Sequence, residues 1–192
     1  MGRLRIIAGR LKGRRIRFPD TLVARPTAER VREALFSILG ATVEGARVLD
    51  AYCGSGALGF EAASRGAGPV VFVDDSADAI DAVRENAERM GIGPSCRFFC
   101  GTVLDLVGQA ALGEPFDLIL ADPPYGSEEG AVLARRAVEI GVLRPDGLLV
   151  VERDARVEPR VTEPGTVVRV RVARYGRTCL DFYRGAAHGG VG

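Results

Sequence analysis

Apolar and basic positions alternate through the first stretch of the chain: LRIIAGRLKGRRIRF, Leu4 to Phe18, interleaves Leu, Ile and Phe with Arg and Lys around Gly9 and Gly13. A period of two broken by glycine predicts a β-hairpin, or a pair of short strands, with one basic face. Pro26 and Thr27 then introduce a different period. Val31, Ala34, Leu35, Ile38 and Leu39 fall on one helix face, Thr27 can cap that helix, Glu29 suits its first turn and Gly40 ends it. From there short apolar runs alternate with helical patterns. Strands are expected at Val48 to Tyr52, Val70 to Asp74, Cys96 to Cys100, Phe116 to Ala121 and Leu148 to Glu152, and helices starting near Ala57, Ser76, Thr102 and Ser127.

Such alternation predicts an α/β fold, a mostly parallel sheet joined by right-handed crossovers. The last run, TVVRVRVARYGRTCLDFYR, reads instead as two strands around Tyr175-Gly176-Arg177, a hairpin closing one sheet edge antiparallel. The expected organisation is a basic arm at 1–24, the main fold at 25–184 and a disordered tail at 185–192. Nothing in the chain repeats, and no linker divides its core.

At 192 residues and 47% hydrophobic content the chain suits one domain with a sizeable core. Its basic start lacks the apolar run of a signal peptide, and no stretch approaches the roughly 18 apolar residues of a membrane span, so a cytoplasmic protein is expected. Cys53, Cys96, Cys100 and Cys179 lack the paired spacing of zinc ligands, which makes burial their expected role. The single histidine, His188, stands in the tail, so neither histidine catalysis nor a metal site is expected.

Charge changes the picture more than composition does. The net charge is only +1, yet Arg3, Arg5, Arg10, Lys12, Arg14, Arg15 and Arg17 all precede the first acid, Asp20. One lysine among 26 basic residues is a compositional habit that explains arginine over lysine, but not the clustering. The cluster points to a polyanion, with a solvated polar face as the alternative.

Two segments carry candidate chemistry. VLDAYCGSGALG, Val48 to Gly59, is a strand, a glycine turn and a helix start, and Gly54-Ser55-Gly56-Ala57-Leu58-Gly59 fits the dinucleotide fingerprint, with Asp74 at the end of the next strand as a ribose acid. Against a dinucleotide stands Asp50, a carboxylate just before the loop, unfavourable to a pyrophosphate and favourable to an ammonium group. The chain also offers no separate substrate domain for hydride chemistry. A ligand with a ribose and an ammonium but no phosphate is S-adenosyl-L-methionine. The second segment is Asp122-Pro123-Pro124-Tyr125, where an apolar strand stops: two prolines remove two backbone donors, fix φ and hold the preceding residues extended. It is either a plain strand-ending turn or a rigid acid-and-aromatic site at the sheet's carboxyl edge.

Together DAYCGSGALGFEAASRGA, ADPPY, RPTAERVREALFSIL and RIIAGRLKGRRI resemble the bacterial small-subunit ribosomal RNA methyltransferases that modify the exocyclic N2 of a guanine, from about Arg5 to Tyr183. The resemblance implies a Rossmann-like class I methyltransferase fold with a seven-stranded sheet, S-adenosyl-L-methionine as donor, and guanine 966 of 16S ribosomal RNA in an assembling small subunit as acceptor. Separately from the resemblance, a monomer is expected. On this reading the cofactor is bound by Asp50, Tyr52, Gly54, Ser55, Gly56, Asp74, Thr102 and Val103. Asp122, Pro123, Pro124 and Tyr125 handle the acceptor, the base being held by Tyr125 and unpaired or flipped out. Arg10, Lys12, Arg14, Arg15, Arg17 and Arg25 meet phosphates. One departure is Cys100-Gly101-Thr102-Val103, where related enzymes often place an acid for the adenine amino group. DNA or glutamine amino-methyltransferases and a non-catalytic RNA-binding or assembly factor are the alternatives.

Overall fold

The computed structural model describes residues 4–18, 27–109, 112–124, 127–158 and 167–186. The order of elements is β1 (Leu4–Arg5), β2 (Arg15–Ile16), α1 (Thr27–Leu39), β3 (Val48–Ala51), α2 (Ala57–Ser64), β4 (Val70–Asp74), α3 (Ala77–Met90), β5 (Cys96–Cys100), α4 (Val103–Gly108), β6 (Phe116–Ala121), α5 (Glu129–Glu139), β7 (Leu143–Asp154), β8 (Val167–Tyr175) and β9 (Thr178–Gly185). Seven strands form one sheet in the order β5-β4-β3-β6-β7-β9-β8. β5, β4, β3, β6 and β7 pair in parallel, while β9 joins β7 and β8 antiparallel.

Every residue of β3 is buried, as is most of β4 and β6. Central parallel strands are covered on both faces, so they read as continuous apolar runs. Side chains still alternate between two cores. Val48, Leu118, Leu120, Val150, Leu180 and Phe182 face α1, α2 and α3, whereas Leu49, Ala51, Ile119, Ala121, Leu149, Val151 and Tyr183 face α4 and α5. β7 is longer than its apolar run suggests, because Leu143 already pairs with Phe116 before an irregularity restores register at Leu118 and Leu148.

β1 and β2 form the expected antiparallel pair, Leu4 opposite Ile16 and Arg5 opposite Arg15. The expectation of an arm set apart from the main fold meets a different packing: Ile6, Leu11, Ile16 and Phe18 are buried in the first core alongside α1, α2 and α3. Thr27 is the first residue of α1, and its side chain lies outside the described residues, so its expected capping does too. Gly40 ends the α-helix with φ +52° and opens a short 3₁₀ turn.

Candidate active site

Between β3 and α2 the chain makes a tight turn that few side chains allow. Tyr52 has φ +59°, Gly54 +49° and Gly56 +74°, all left-handed. The third glycine acts by size. A Cβ on Gly59 would come within 2.3 Å of the Phe72 ring and 2.9 Å of an Asp50 carboxylate oxygen, so only glycine lets α2 lie this close to β4. Cys53, within the turn, is buried, and burial pushes its thiol up, with Asp50 and Asp74 adding to the effect. It is held as a neutral thiol. Tyr52 packs toward α5, and burial pushes its phenol up, helped by the Glu129 carboxylate. The hydroxyl faces Glu129 without a hydrogen bond of good geometry.

The two acids bracketing the turn hold it together. Asp74 accepts hydrogen bonds from Gly54 N–H (2.8 Å) and from Ser76 N–H (3.0 Å), tying the glycine turn to the start of α3, where the Ser76 side chain caps Ala79 N–H. Asp50 lies deeper than its sequence position suggests. It is 1% exposed and accepts a 2.7 Å hydrogen bond from Gly59 N–H, sitting beneath the turn rather than at its mouth. The first turn of a helix has free N–H groups, and this carboxylate satisfies one of them. Burial pushes the Asp50 carboxyl well above the usual carboxylate range, opposed by the Gly59 N–H, and the charges of Asp74 and Asp122 raise it further. Three carboxylates from three strand ends therefore share one field at the carboxyl edge. Such a field favours a cation and disfavours a phosphate.

At that edge β6 ends at Ala121; Asp122 and Pro124 are exposed and Pro123 is buried. Pro124 carbonyl accepts from Ser127 N–H (3.1 Å), closing the turn into α5. Gly130 was not singled out by sequence reading: a Cβ there would lie 2.4 Å from Val151 and 3.4 Å from Pro123, so glycine seats α5 against the diproline. Its signal was only a glycine in a helix's first turn. Ser55 stands in the glycine turn, half-buried. Thr102 occupies the N-cap position of α4, but its hydroxyl donates to Asp105 carboxylate (2.5 Å) instead of accepting from the backbone. The Val103 side chain is buried among α4 and α5, which leaves its backbone as the part able to meet a ligand. Tyr125 and Arg25 lie outside the described residues.

The basic arm is brought to a different place. Arg10, Lys12, Arg14, Arg15 and Arg17 are exposed, as a phosphate-binding role requires. Their backbone is clamped by residues that sequence reading passed over. Glu61, fully buried, accepts from Ile7 N–H (2.8 Å), Ala8 N–H (3.0 Å) and Arg65 (2.8 Å), and lies 3.8 Å from Arg32. Ser64 donates to Ala8 carbonyl and accepts from Leu11 N–H, while buried Asn86 bonds both Arg17 N–H and Arg17 carbonyl. Ser64 is the last residue of α2, and the chain just beyond it pairs with Gly45 and Ala46, which precede β3. The tip of the arm thus lies at the amino edge of the sheet. At 1.5 Å per residue, α2 separates it from the glycine turn by about 12 Å. The one sequence signal for this clamp was a glutamate and an asparagine on otherwise apolar helix faces.

Residues 4–184 match the family described as conserved hypothetical protein 95. Ribosomal RNA small subunit methyltransferase D of Escherichia coli is 30% identical over 98% of this chain and 93% of its own length. A candidate rRNA methyltransferase of Bacillus subtilis is 34% identical over 94% of this chain and 98% of its own. Among solved structures, a candidate methyltransferase of Escherichia coli superposes with a TM-score of 0.83 at 27% identity, covering 97% of this chain and 99% of that one.

Proposed function

We infer the function from one premise: the chain belongs to the family that includes ribosomal RNA small subunit methyltransferase D, to which it is 30% identical over 98% of its length, and matches the conserved hypothetical protein 95 family over residues 4–184. It is an S-adenosyl-L-methionine-dependent methyltransferase of Rossmann-like fold. We propose that it methylates the exocyclic N2 of guanine 966 in 16S ribosomal RNA, acting as a cytoplasmic monomer on an assembling small subunit. Among the described residues no helix is long and apolar enough to cross a membrane.

The observation that carries the reading is the rigid Asp122-Pro123-Pro124 segment beside a glycine turn ringed by three carboxylates. The residues present fit the donor: Gly54 and Gly56 let backbone approach it, Asp74 suits a ribose, and the field of Asp50, Asp74 and Asp122 suits its ammonium and sulfonium charges. When bound, the donor supplies an electrophilic methyl on sulfur. Guanine N2 is a poor nucleophile because its lone pair is delocalised into the ring. Asp122 carboxylate and Pro123 carbonyl each accept one N2 hydrogen, which turns the lone pair toward the methyl, and the prolines keep both acceptors from moving. Held by these two acceptors, N2 would take that methyl and leave the donor as a neutral thioether. Asp122, exposed at the strand end, would stabilise the positive charge on nitrogen until a proton passes to solvent water. The test is methylation of small-subunit RNA and particles with the purified protein, followed by nucleoside mass spectrometry and mapping. The expected product is N2-methylguanosine at position 966; a methyl on another base or atom overturns the reading.

Cofactor binding is expected to release protons. Asp50 in the ligand-free protein has a raised pKa, so its contribution to stability is present below the unfolded carboxylate pKa and is lost as pH rises through the folded value. A cation bound nearby reverses this by favouring the carboxylate. Affinity for S-adenosylmethionine therefore rises with pH through the Asp50 titration. Calorimetry in buffers of different ionisation heat reads the released proton directly, and Asp50→Asn, which keeps an acceptor for Gly59, should abolish that release and weaken binding roughly tenfold to a hundredfold. A pH-independent affinity in the parent protein would remove Asp50 from the cofactor's field.

Arm arginines would hold RNA phosphates some distance from the reacting base. Arg14→Glu combined with Arg15→Glu should weaken RNA binding and flatten its log–log salt dependence by about 1.5, at 0.7 to 0.9 per lost phosphate, while cofactor affinity stays unchanged. An unaltered slope would make the arm a solvated face and move the RNA surface toward Arg169, Arg171, Arg174 and Arg177.

A further inference from the structure

We propose that Glu152, at the carboxyl end of β7, reads the N1–H of the acceptor guanine and so sets the enzyme's preference for guanine; this rests on the guanine-N2 reading above. β6 and β7 pair in parallel and their pairing ends with Ala121 opposite Val151, so Asp122 and Glu152 are the next positions along the two segments. Neighbouring strands lie about 4.8 Å apart. Leu118 and Leu120 of β6 and Leu148 and Val150 of β7 all face the core of α1, α2 and α3. Side chains alternate along a strand, and Pro123 holds Asp122 extended, so the alternation carries one residue past the end of β6. Asp122 and Glu152 therefore emerge side by side on the same face of the sheet. Asp50 belongs to that face as well, one step back from the edge: it pairs with Leu120, and its strand neighbour Val48 lies in the same core.

Two adjacent acceptors match what distinguishes guanine. Its pairing edge presents N2–H and N1–H next to each other, and a flipped base is read on that edge. Ionised carboxylates accept and cannot donate. With Asp122 on one N2 hydrogen, a second carboxylate on the next strand meets N1–H. Adenine offers a bare N1 lone pair at the same point, which a carboxylate repels. Glu152 is half-buried, anchored on a strand between β6 and β9, and paired with Leu180 across β9, so its Cα position is fixed by the sheet and not by a loop.

The test compares target RNA carrying guanine with RNA carrying 2,6-diaminopurine at the acceptor position, which keeps the 2-amine but has no hydrogen on N1. The parent enzyme should prefer guanine by about a hundredfold in kcat/KM. Glu152→Gln should lose roughly tenfold to a hundredfold on guanine and bring the ratio toward one, because its amide can donate to a bare N1. Affinity for S-adenosylmethionine should not change, which also reports that the variant is folded. Glu152→Asp, which retains the carboxylate, should be slower on guanine but keep the direction of preference, and it carries the test if the glutamine variant is unstable. A Glu152→Gln enzyme with the parent's ratio overturns the proposal. Failure of the underlying reading looks different: the parent enzyme would then place no methyl on guanine N2 at all.

Discussion

Asp122→Ala should lower the rate of methyl transfer a hundredfold or more while leaving the dissociation constant for S-adenosylmethionine within a few-fold of the parent's. Asp122 is exposed at the end of β6, whereas the acids that hold the glycine turn, Asp50 and Asp74, are bonded to Gly59, Gly54 and Ser76. Removing Asp122 thus leaves the glycine turn intact. What is lost is an oriented acceptor and the charge that matches the developing positive nitrogen, and one such preorganised group is worth about 10²–10³ in rate. Because Asp122 also raises the Asp50 pKa, its removal should shift the pH dependence of cofactor binding to lower pH. Single-turnover kinetics on methyl-accepting particles separates the chemical step from release. Near-normal turnover would reduce the diproline segment to a strand-ending turn.

Glu61→Ala should cost about 3–5 kcal/mol of folding stability, the usual consequence of removing one partner from a buried ion pair. Glu61 is fully buried, and its loss leaves Arg32, itself 3% exposed, with only the weaker coulombic pull of Glu29 against its burial. Burial already lowers the Arg32 pKa, and Glu61 is the largest influence opposing that. The same substitution orphans the N–H groups of Ile7 and Ala8, so the arm should loosen from α2. Urea unfolding gives the stability, and hydrogen exchange at Ile7 and Ala8 reports the arm. Glu29→Ala is the control: it removes the exposed pair with Arg5 and should change stability by no more than about 1 kcal/mol. A Glu61 effect as small as that of Glu29 would mean the arm is held by its apolar residues alone.

The arm is where the local pattern told least. Its alternation of apolar and basic residues was legible, and the strand pair formed as expected. Yet the same alternation fits a hairpin standing free in solvent. Ile6, Leu11, Ile16 and Phe18 decide otherwise by entering the core, and Gly9 shows how closely: a Cβ there would fall 1.9 Å from the Ser64 carbonyl oxygen. The distance between the arm's tip and the diproline, at opposite edges of the sheet, had no sequence signature at all.

By itself the sequence determined the parallel order of strand and helix, the left-handed glycine turn, the carboxylate ending β4 and the stiff stop after β6. Each is written in residues only a few positions apart, where periodicity, proline geometry and the freedom of glycine act directly on the backbone. Tertiary structure alone decided that Asp50 lies under the turn, that Glu61 clamps Ile7 from 54 residues away, that Asn86 holds Arg17 from 69 residues away, and that Ala121 at the end of β6 pairs with Val151 of β7. Those placements depend on which strands become neighbours and on which buried polar groups must find partners once water is excluded, and neither condition exists until the chain has closed on itself.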